Sequence, residues 1–348
     1  MNGRVANVAV VIPTLGRPDS LERALRSLAL QTGVRERLES VVVVDNDPGQ
    51  SAAAVCQRIS ATTALPLVYL HAPSPGVATA RNAGLQATSA RLIAFLDDDE
   101  AAQPGWLAAL LDTHLQFGAD VTFGPIQGCA PDAEPKLRSW LESFFSRCGP
   151  EKSGLLTHWY GCGNSLVDRG LGRLGQDPFR PRQDETGGED DVLFAQLQAG
   201  GGRFAWASDA KVIEFAPAHR ARVSYALTRA FAHGQSPCQA AARSGRLFII
   251  PLLMAIGAVQ ALGCGGLGAA LWLVRRPEAW PVLERAARGA GKLLWFEMFE
   301  PRLYGQAEIR RLARAQRARL APDPRELKTP PAAPNADRST ATPGFLSG

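Results

Sequence analysis

Four short apolar runs separated by helical stretches constrain this chain more than any other feature. Val8–Pro13, Val41–Val44, Leu67–His71 and Arg91–Leu96 read as strands. Between and after them, Pro18–Leu30, with leucines at Leu21, Leu25 and Leu28, reads as a helix, as do Ser51–Ile59, Gly76–Ala87 and Pro104–Phe117. Apolar strands of this length alternating with helices imply an α/β fold, a mostly parallel sheet with helices on both faces. Ligands of such sheets bind beyond the carboxyl ends of the strands. Polar residues gather at those ends here. Thr14 and Arg17 close the first strand, Asp45 and Asn46 the second, and Asp97, Asp98 and Asp99 the fourth.

Beyond Asp120 the pattern is less regular. Val121–Ile126, Phe204–Trp206 and Lys211–Phe215 read as strands, and Gly187–Leu197 as a glycine turn entering a helix. Leu247–Val274 then runs 28 residues without a charge, flanked by Arg243 and Arg246 before it and Arg275 and Arg276 after it. As one helix it would measure about 42 Å, against roughly 30 Å of hydrocarbon. Arginines on both flanks suit a re-entrant or interface-lying pair better than a positive-inside span, and Pro251 and the Gly263–Gly268 cluster could divide it. A buried helical hairpin is the plainer reading. Residues 217–348 hold 19 of the 38 Lys and Arg but 8 of the 33 Asp and Glu, so an acidic part precedes a basic one. Within the basic part, Arg302–Leu320 suits an anionic headgroup layer. It lacks the interleaved aromatic platforms that single-stranded nucleic acid needs, so no nucleic-acid partner is expected. Residues 321–348, with six prolines and few large apolar side chains, read as disordered. The six scattered cysteines form no CxxC pair, which argues against a zinc knuckle or a disulfide framework. The first residues show no signal-peptide pattern, so the N-terminal part is expected in the cytoplasm.

Three adjacent carboxylates at Asp97, Asp98 and Asp99 repel one another unless cations or donors compensate. Mg²⁺ and Mn²⁺ prefer carboxylate oxygen, and alternation on extended backbone lets Asp97 and Asp99 share a face. An exposed acidic turn is the alternative. Gly187 and Gly188 permit a sharp turn before Glu189, Asp190 and Asp191, which suit a helix N-terminus. Paired with the aspartate cluster, the second group becomes a candidate general base. Arg81, early in its helix, could hold a phosphate. Two Gly-x-Gly-x-x-Gly matches, at Gly170 and Gly263, lie outside any βαβ unit and are set aside. The five histidines show no ligand spacing.

Taken in order, Val10 to Thr14 with Arg17, Val43 to Asn46, Ala80 to Gly84, Phe95 to Asp99 and Gly188 to Asp190 resemble the motif series of family 2 glycosyltransferases with the GT-A fold. The resemblance covers roughly residues 7–235. It implies an inverting transfer from a nucleoside-diphosphate sugar, UDP-sugar by default, to a hydroxyl of a saccharide or lipid-linked acceptor. It implies that Pro13, Thr14 and Arg17 lie in the nucleotide pocket, that Asp45 accepts from the base, and that Arg81 supports the nucleotide. Asp97 or Asp98 would approach the ribose. Asp99, with Asp97, would bind the divalent metal, Mn²⁺ or Mg²⁺. Asp190, beside Glu189, would be the catalytic base, and Gly163-Asn164 would face the acceptor. Many relatives carry a histidine after the strand at Lys211–Phe215. Here Glu214 or His219 could serve as a third metal ligand, or neither.

The chain so read comprises a catalytic domain over 1–240, with a nucleotide half over 1–120 and an acceptor half over 121–240. A membrane-association region follows over 241–320, then the tail over 321–348. Its place would be the cytoplasmic face of a membrane. Two alternatives stand beside this reading. One is a non-catalytic nucleotide-sugar-binding scaffold. The other is a haloacid-dehalogenase-like phosphohydrolase with Asp97 as nucleophile, against which Ala101 stands where Thr or Val is usual.

Overall fold

The computed structural model describes residues 7–320. The proline-rich segment 321–348 lies outside the described residues. The chain runs β1 (Val8–Thr14), α1 (Pro18–Ala29), β2 (Leu38–Asp45), α2 (Ala53–Thr62), β3 (Leu67–His71), α3 (Val77–Gln86), β4 (Leu92–Phe95), β5 (Glu100–Ala102) and α4 (Trp106–Phe117). It continues through β6 (Val121–Phe123), β7 (Ile126–Cys129), α5 (Pro135–Phe145), β8 (Gly154–Leu156), β9 (Ser165–Asp168), α6 (Glu189–Ala199), β10 (Phe204–Trp206) and β11 (Val212–Phe215).

Eight strands form one sheet in the order β3-β2-β1-β4-β9-β6-β10-β8. β1 pairs in parallel with β2 and β4, as expected for strands apolar on both faces. Its residues divide between two cores. Val8, Val10 and Ile12 face the layer of α1, α2 and α4, while Ala9 and Val11 face that of α3 and α6. α1 buries Leu21, Ala24, Leu25 and Leu28 on one stripe and keeps the Glu22–Arg26 pair outside. β9 is antiparallel to both β4 and β6, so the sheet is mixed where its two halves meet. The single strand expected over Val121–Ile126 is two. Gly124 and Pro125 break it, and β7 joins a second sheet ordered β5-β11-β7. Pro125 has no N–H to continue a ladder.

Four further helices follow: α7 (Val223–Arg243), α8 (Ile250–Val259), α9 (Gly265–Leu273) and α10 (Ala279–Leu293), with α11 (Gly305–Leu320) last. The domain boundary expected at 240 falls inside α7. α8 and α9 are joined without a break through a π-helical segment, Gln260–Cys264, so Pro251 and the glycines do not divide the apolar run. Pro251 sits in the first turn of α8, where its missing N–H costs nothing. Among the described residues, Leu247–Leu273 is the one helix long and apolar enough to cross a membrane, and little of it is buried. α10 packs along it on one side and against α7 on the other. Gly257 and Gly289 let the helices approach closely, since a Cβ on Gly289 would meet the backbone of Ala261 at 2.6 Å.

Candidate active site

The carboxyl ends of β1 and β4, the start of α6 and the segment Gly161–Gly163 enclose one cavity of about 1050 Å³. Asp97 to Glu100 form its floor. Asp98 is fully buried, accepting from the Thr14 hydroxyl at 2.6 Å and pairing with Arg17 at 2.7 Å. Asp99 pairs with Arg17 at 2.6 Å and Arg220 at 3.4 Å. Burial opposes ionisation of Asp99, but the two guanidinium groups overcome it and hold the carboxyl low. Asp97 is the most exposed of the three. Its carboxylate packs over Gly163, where a Cβ would stand 2.6 Å from it.

Arg81 joins the two acidic motifs. It is buried, pairs with Glu189 and reaches Asp97 at 3.2 Å. α3 carries it under the end of β4, and the turn at Gly187 and Gly188, both at φ 81°, brings Glu189 to it. Burial raises the Glu189 carboxyl, and the Arg81 charge opposes that rise. Asp190, the next residue, lines the cavity. Its Oδ2 accepts from the Cys162 N–H at 2.8 Å and its Oδ1 from the Asp191 N–H at 2.9 Å. Asp191 accepts instead from the Trp159 indole at 3.0 Å.

Two expected contacts take a different form. Asp45 is turned into the core, where it accepts from the N–H groups of Asp47 and Ala52 and from the Tyr69 hydroxyl. Asn46, not Asp45, lines the cavity, tied to Ala72, Ser74 and Gly76. Asn164 is fully buried at φ 50°. It accepts from the Trp106 indole and donates to the carbonyls of Pro125 and Ala210, so it supports Gly163 from below. Arg147 donates to the Gly163 carbonyl at 2.7 Å and fixes the same segment.

Two carboxylates that carried little or no signal complete the floor. β5 and β11 are antiparallel, and their register sets Glu100 directly opposite Glu214. Like charges in that position destabilise a sheet. Burial, then Asp99, pushes Glu214 up to about 7, and burial with Asp97 raises Glu100 well above the usual carboxylate range. His219 pairs with Glu308, at 2.9 Å. Among the described residues no three His, Cys, Asp or Glu side chains are arranged to hold an ion as they stand. The donor chemistry nevertheless fits a hard divalent cation: oxygen ligands, with mutual repulsion a cation would relieve. Glu214, whose folded pKa lies above the usual 4.5, favours folding fully below that value. Its contribution is lost as pH rises through about 7. Glu214→Gln should therefore flatten the metal-free decline in stability between pH 5 and 8 by on the order of 2 kcal/mol. Urea unfolding midpoints at the two pH values check this, and an unchanged decline would refute it.

A model described as Glycosyl transferase family 2 matches residues 9–171. The succinoglycan biosynthesis protein ExoM of Rhizobium meliloti (strain 1021) is 31% identical over 239 residues, covering 68% of this chain and 75% of that protein. The chain is a family 2 glycosyltransferase. The validoxylamine A glucosyltransferase of Streptomyces hygroscopicus subsp. jinggangensis (strain 5008) is 34% identical over 139 residues, covering 39% of this chain and 33% of that protein. In fold, it is similar to the mannosyltransferase PcManGT from Pyrobaculum calidifontis, with a TM-score of 0.52 at 18% identity over 84% of this chain and 88% of that one. The sheet and its flanking helices are thus the GT-A fold. The phosphohydrolase and scaffold readings fall with this assignment.

Proposed function

We propose that this transferase moves a sugar from a nucleoside-diphosphate sugar, with UDP as the default nucleotide, to a hydroxyl of a saccharide or lipid-linked acceptor. One observation carries the reading. Asp190 and the Asp97–Asp99 floor face a single cavity, and Arg81 ties Asp97 to Glu189, the residue beside Asp190. Asp190 removes the proton from the acceptor hydroxyl. The resulting oxygen attacks the anomeric carbon on the face opposite the diphosphate, whose bond to that carbon breaks, so the configuration inverts. Pro13, Thr14 and Arg17 lie beside the nucleotide, and Gly163 borders the acceptor side. Asp97 and Asp99, with Glu214 as third carboxylate, would hold Mg²⁺ or Mn²⁺. When bound, such an ion offsets the charge on the leaving diphosphate. Positioning and electrostatic stabilisation supply most of the acceleration. A ligand that binds only the folded state raises its stability. A thermal-shift series with nucleoside diphosphates and nucleotide sugars, each with and without Mn²⁺ or Mg²⁺, is the first test. A shift requiring one nucleotide together with metal supports the reading and names the base. No shift with any pair, in a folded sample, counts against it.

The relative named for succinoglycan biosynthesis favours a saccharide acceptor. A membrane location on the cytoplasmic side suits such an acceptor when it is lipid-linked. The apolar helix would lie in the plane of the membrane surface. α10, which carries Glu284, Arg285, Arg288 and Lys292, packs along it and bonds Gln260 through Lys292 at 2.8 Å. A crossing would drag those α10 charges into hydrocarbon, a cost the in-plane pose avoids. Leu252, Val259 and Leu262, all largely exposed, would enter the lipid. Each contributes about 1.5–3 kcal/mol on burial. Changing all three to Gln should move the protein from pellet to supernatant when it is sedimented with anionic phospholipid vesicles. Unchanged pelleting would remove this surface from the proposal.

A further inference from the structure

Beyond α10 the chain turns back over the donor side of the cavity. The N–H groups of Leu303 and Tyr304 donate to the Glu185 carbonyl at 2.9 and 3.0 Å. Leu312 of α11 packs over Gly16, in the turn between β1 and α1. Between these two attachments stands Glu308, 2% exposed. Its Oε1 lies 3.0 Å from Arg220 and 2.9 Å from His219 Nε2, and its Oε2 lies 3.5 Å from Arg311. Arg220 also reaches Asp99, which Arg17 holds from the other side. His219 first, then Arg220, overcome the burial of Glu308 and keep its carboxyl well below the usual range. The basic group is not saturated: Nε of Arg17 and Nε of Arg220 are buried without an acceptor. An acid is thus held, from a helix of otherwise polar and basic character, against Arg220, which also touches the floor aspartate Asp99.

A carboxylate and a phosphate accept from guanidinium groups in the same way, and a diphosphate offers more oxygens and more charge. We propose that Arg17, His219 and Arg220 form the cradle for the donor's diphosphate, with Glu308 as its resident counter-ion. Donor binding and the seating of α11 then exclude each other. This rests on the nucleoside-diphosphate donor proposed above. α11 is well suited to release. Among its residues up to Ala313, only Gly305 and Glu308 are fully packed, and Ile309 and Leu312 are the sole large apolar side chains. A segment with so few apolar contacts opens at low cost. If the helix is seated nine-tenths of the time, it lowers apparent donor affinity about tenfold.

The test uses the full chain with UDP and GDP as probes, each with Mg²⁺, and calorimetry for the dissociation constant. Glu308→Gln, which keeps shape and removes charge, should bind the preferred nucleotide about tenfold more tightly. Arg220→Met should bind it at least tenfold more weakly. In the wild type, hydrogen exchange over residues 303–313 should speed up on adding that nucleotide and stay unchanged with uridine or guanosine. Equal or weaker binding by folded Glu308→Gln, or slower exchange in that segment with nucleotide, overturns the exclusion while leaving the donor reading intact. If Glu308→Gln does not fold, the wild-type exchange decides alone. Failure of both nucleotides to bind either protein overturns the cradle and the donor reading together.

Discussion

Asp190→Asn should lower kcat by about 10²–10⁴-fold, the usual contribution of a positioned general base. Donor affinity should be unchanged. The change is nearly isosteric, and neither of the two backbone N–H groups that Asp190 accepts from is itself part of the donor floor. No neighbour can take its place. Glu189 is committed to Arg81 within the core. Asp191 accepts from the Trp159 indole, and burial together with the Asp190 charge pushes it up to about 6. The decisive comparison is kcat against the donor dissociation constant. A fall in kcat with the dissociation constant held marks an interaction made only in the transition state. A variant with the parent rate would show that another group removes the proton, and the shared cavity would lose its proposed mechanism.

The first half of the fold was legible because its signals are local. Runs such as Val41–Val44 are buried on both faces, and β2 stands where they predict it. The turn from β4 into the three aspartates needs no long-range information either. What escaped the sequence was pairing. Ser165–Asp168 contains two apolar residues and no usable period, yet it is the central antiparallel strand of the sheet. Glu214 drew notice only for standing where a histidine was expected, and Glu100 drew none. Their opposition depends on the register of β5 with β11, which no motif records. Arg220 and Glu308 are 88 residues apart and meet only because α11 folds back. Asp45 shows a subtler limit. A polar residue at a strand end can face the ligand or tie down the next helix, and Asp45 accepts from the Ala52 N–H at the start of α2. Its neighbour Asn46 reaches the cavity instead, because successive residues on extended backbone point to opposite sides.

Arg81 is the residue whose loss should cost the fold most. Its guanidinium is buried between Glu189 and Asp97, joining the strand end that carries the donor floor to the helix that carries Asp190. Arg81→Met keeps most of the side-chain volume but leaves Glu189 charged and unpaired in the core. Breaking a buried pair from one side costs about 3–5 kcal/mol, a large share of a typical stability of about 5–15 kcal/mol. The urea midpoint should fall accordingly, and transfer activity should vanish as the two motifs lose their register. The second half of a double-mutant cycle separates charge from packing. Adding Glu189→Leu removes the stranded carboxylate, and stability should recover by several kcal/mol because an apolar pair of similar volume is tolerated in such a site. Activity should not recover, since nothing then fixes Asp97 relative to Asp190. Recovery of activity along with stability would mean that Arg81 serves the fold alone. A single variant as stable as the parent would mean that Glu189 takes up a proton on losing its partner, which its upward displacement by burial favours. The pH dependence of that variant's stability would then steepen above neutrality as Glu189 is forced to ionise.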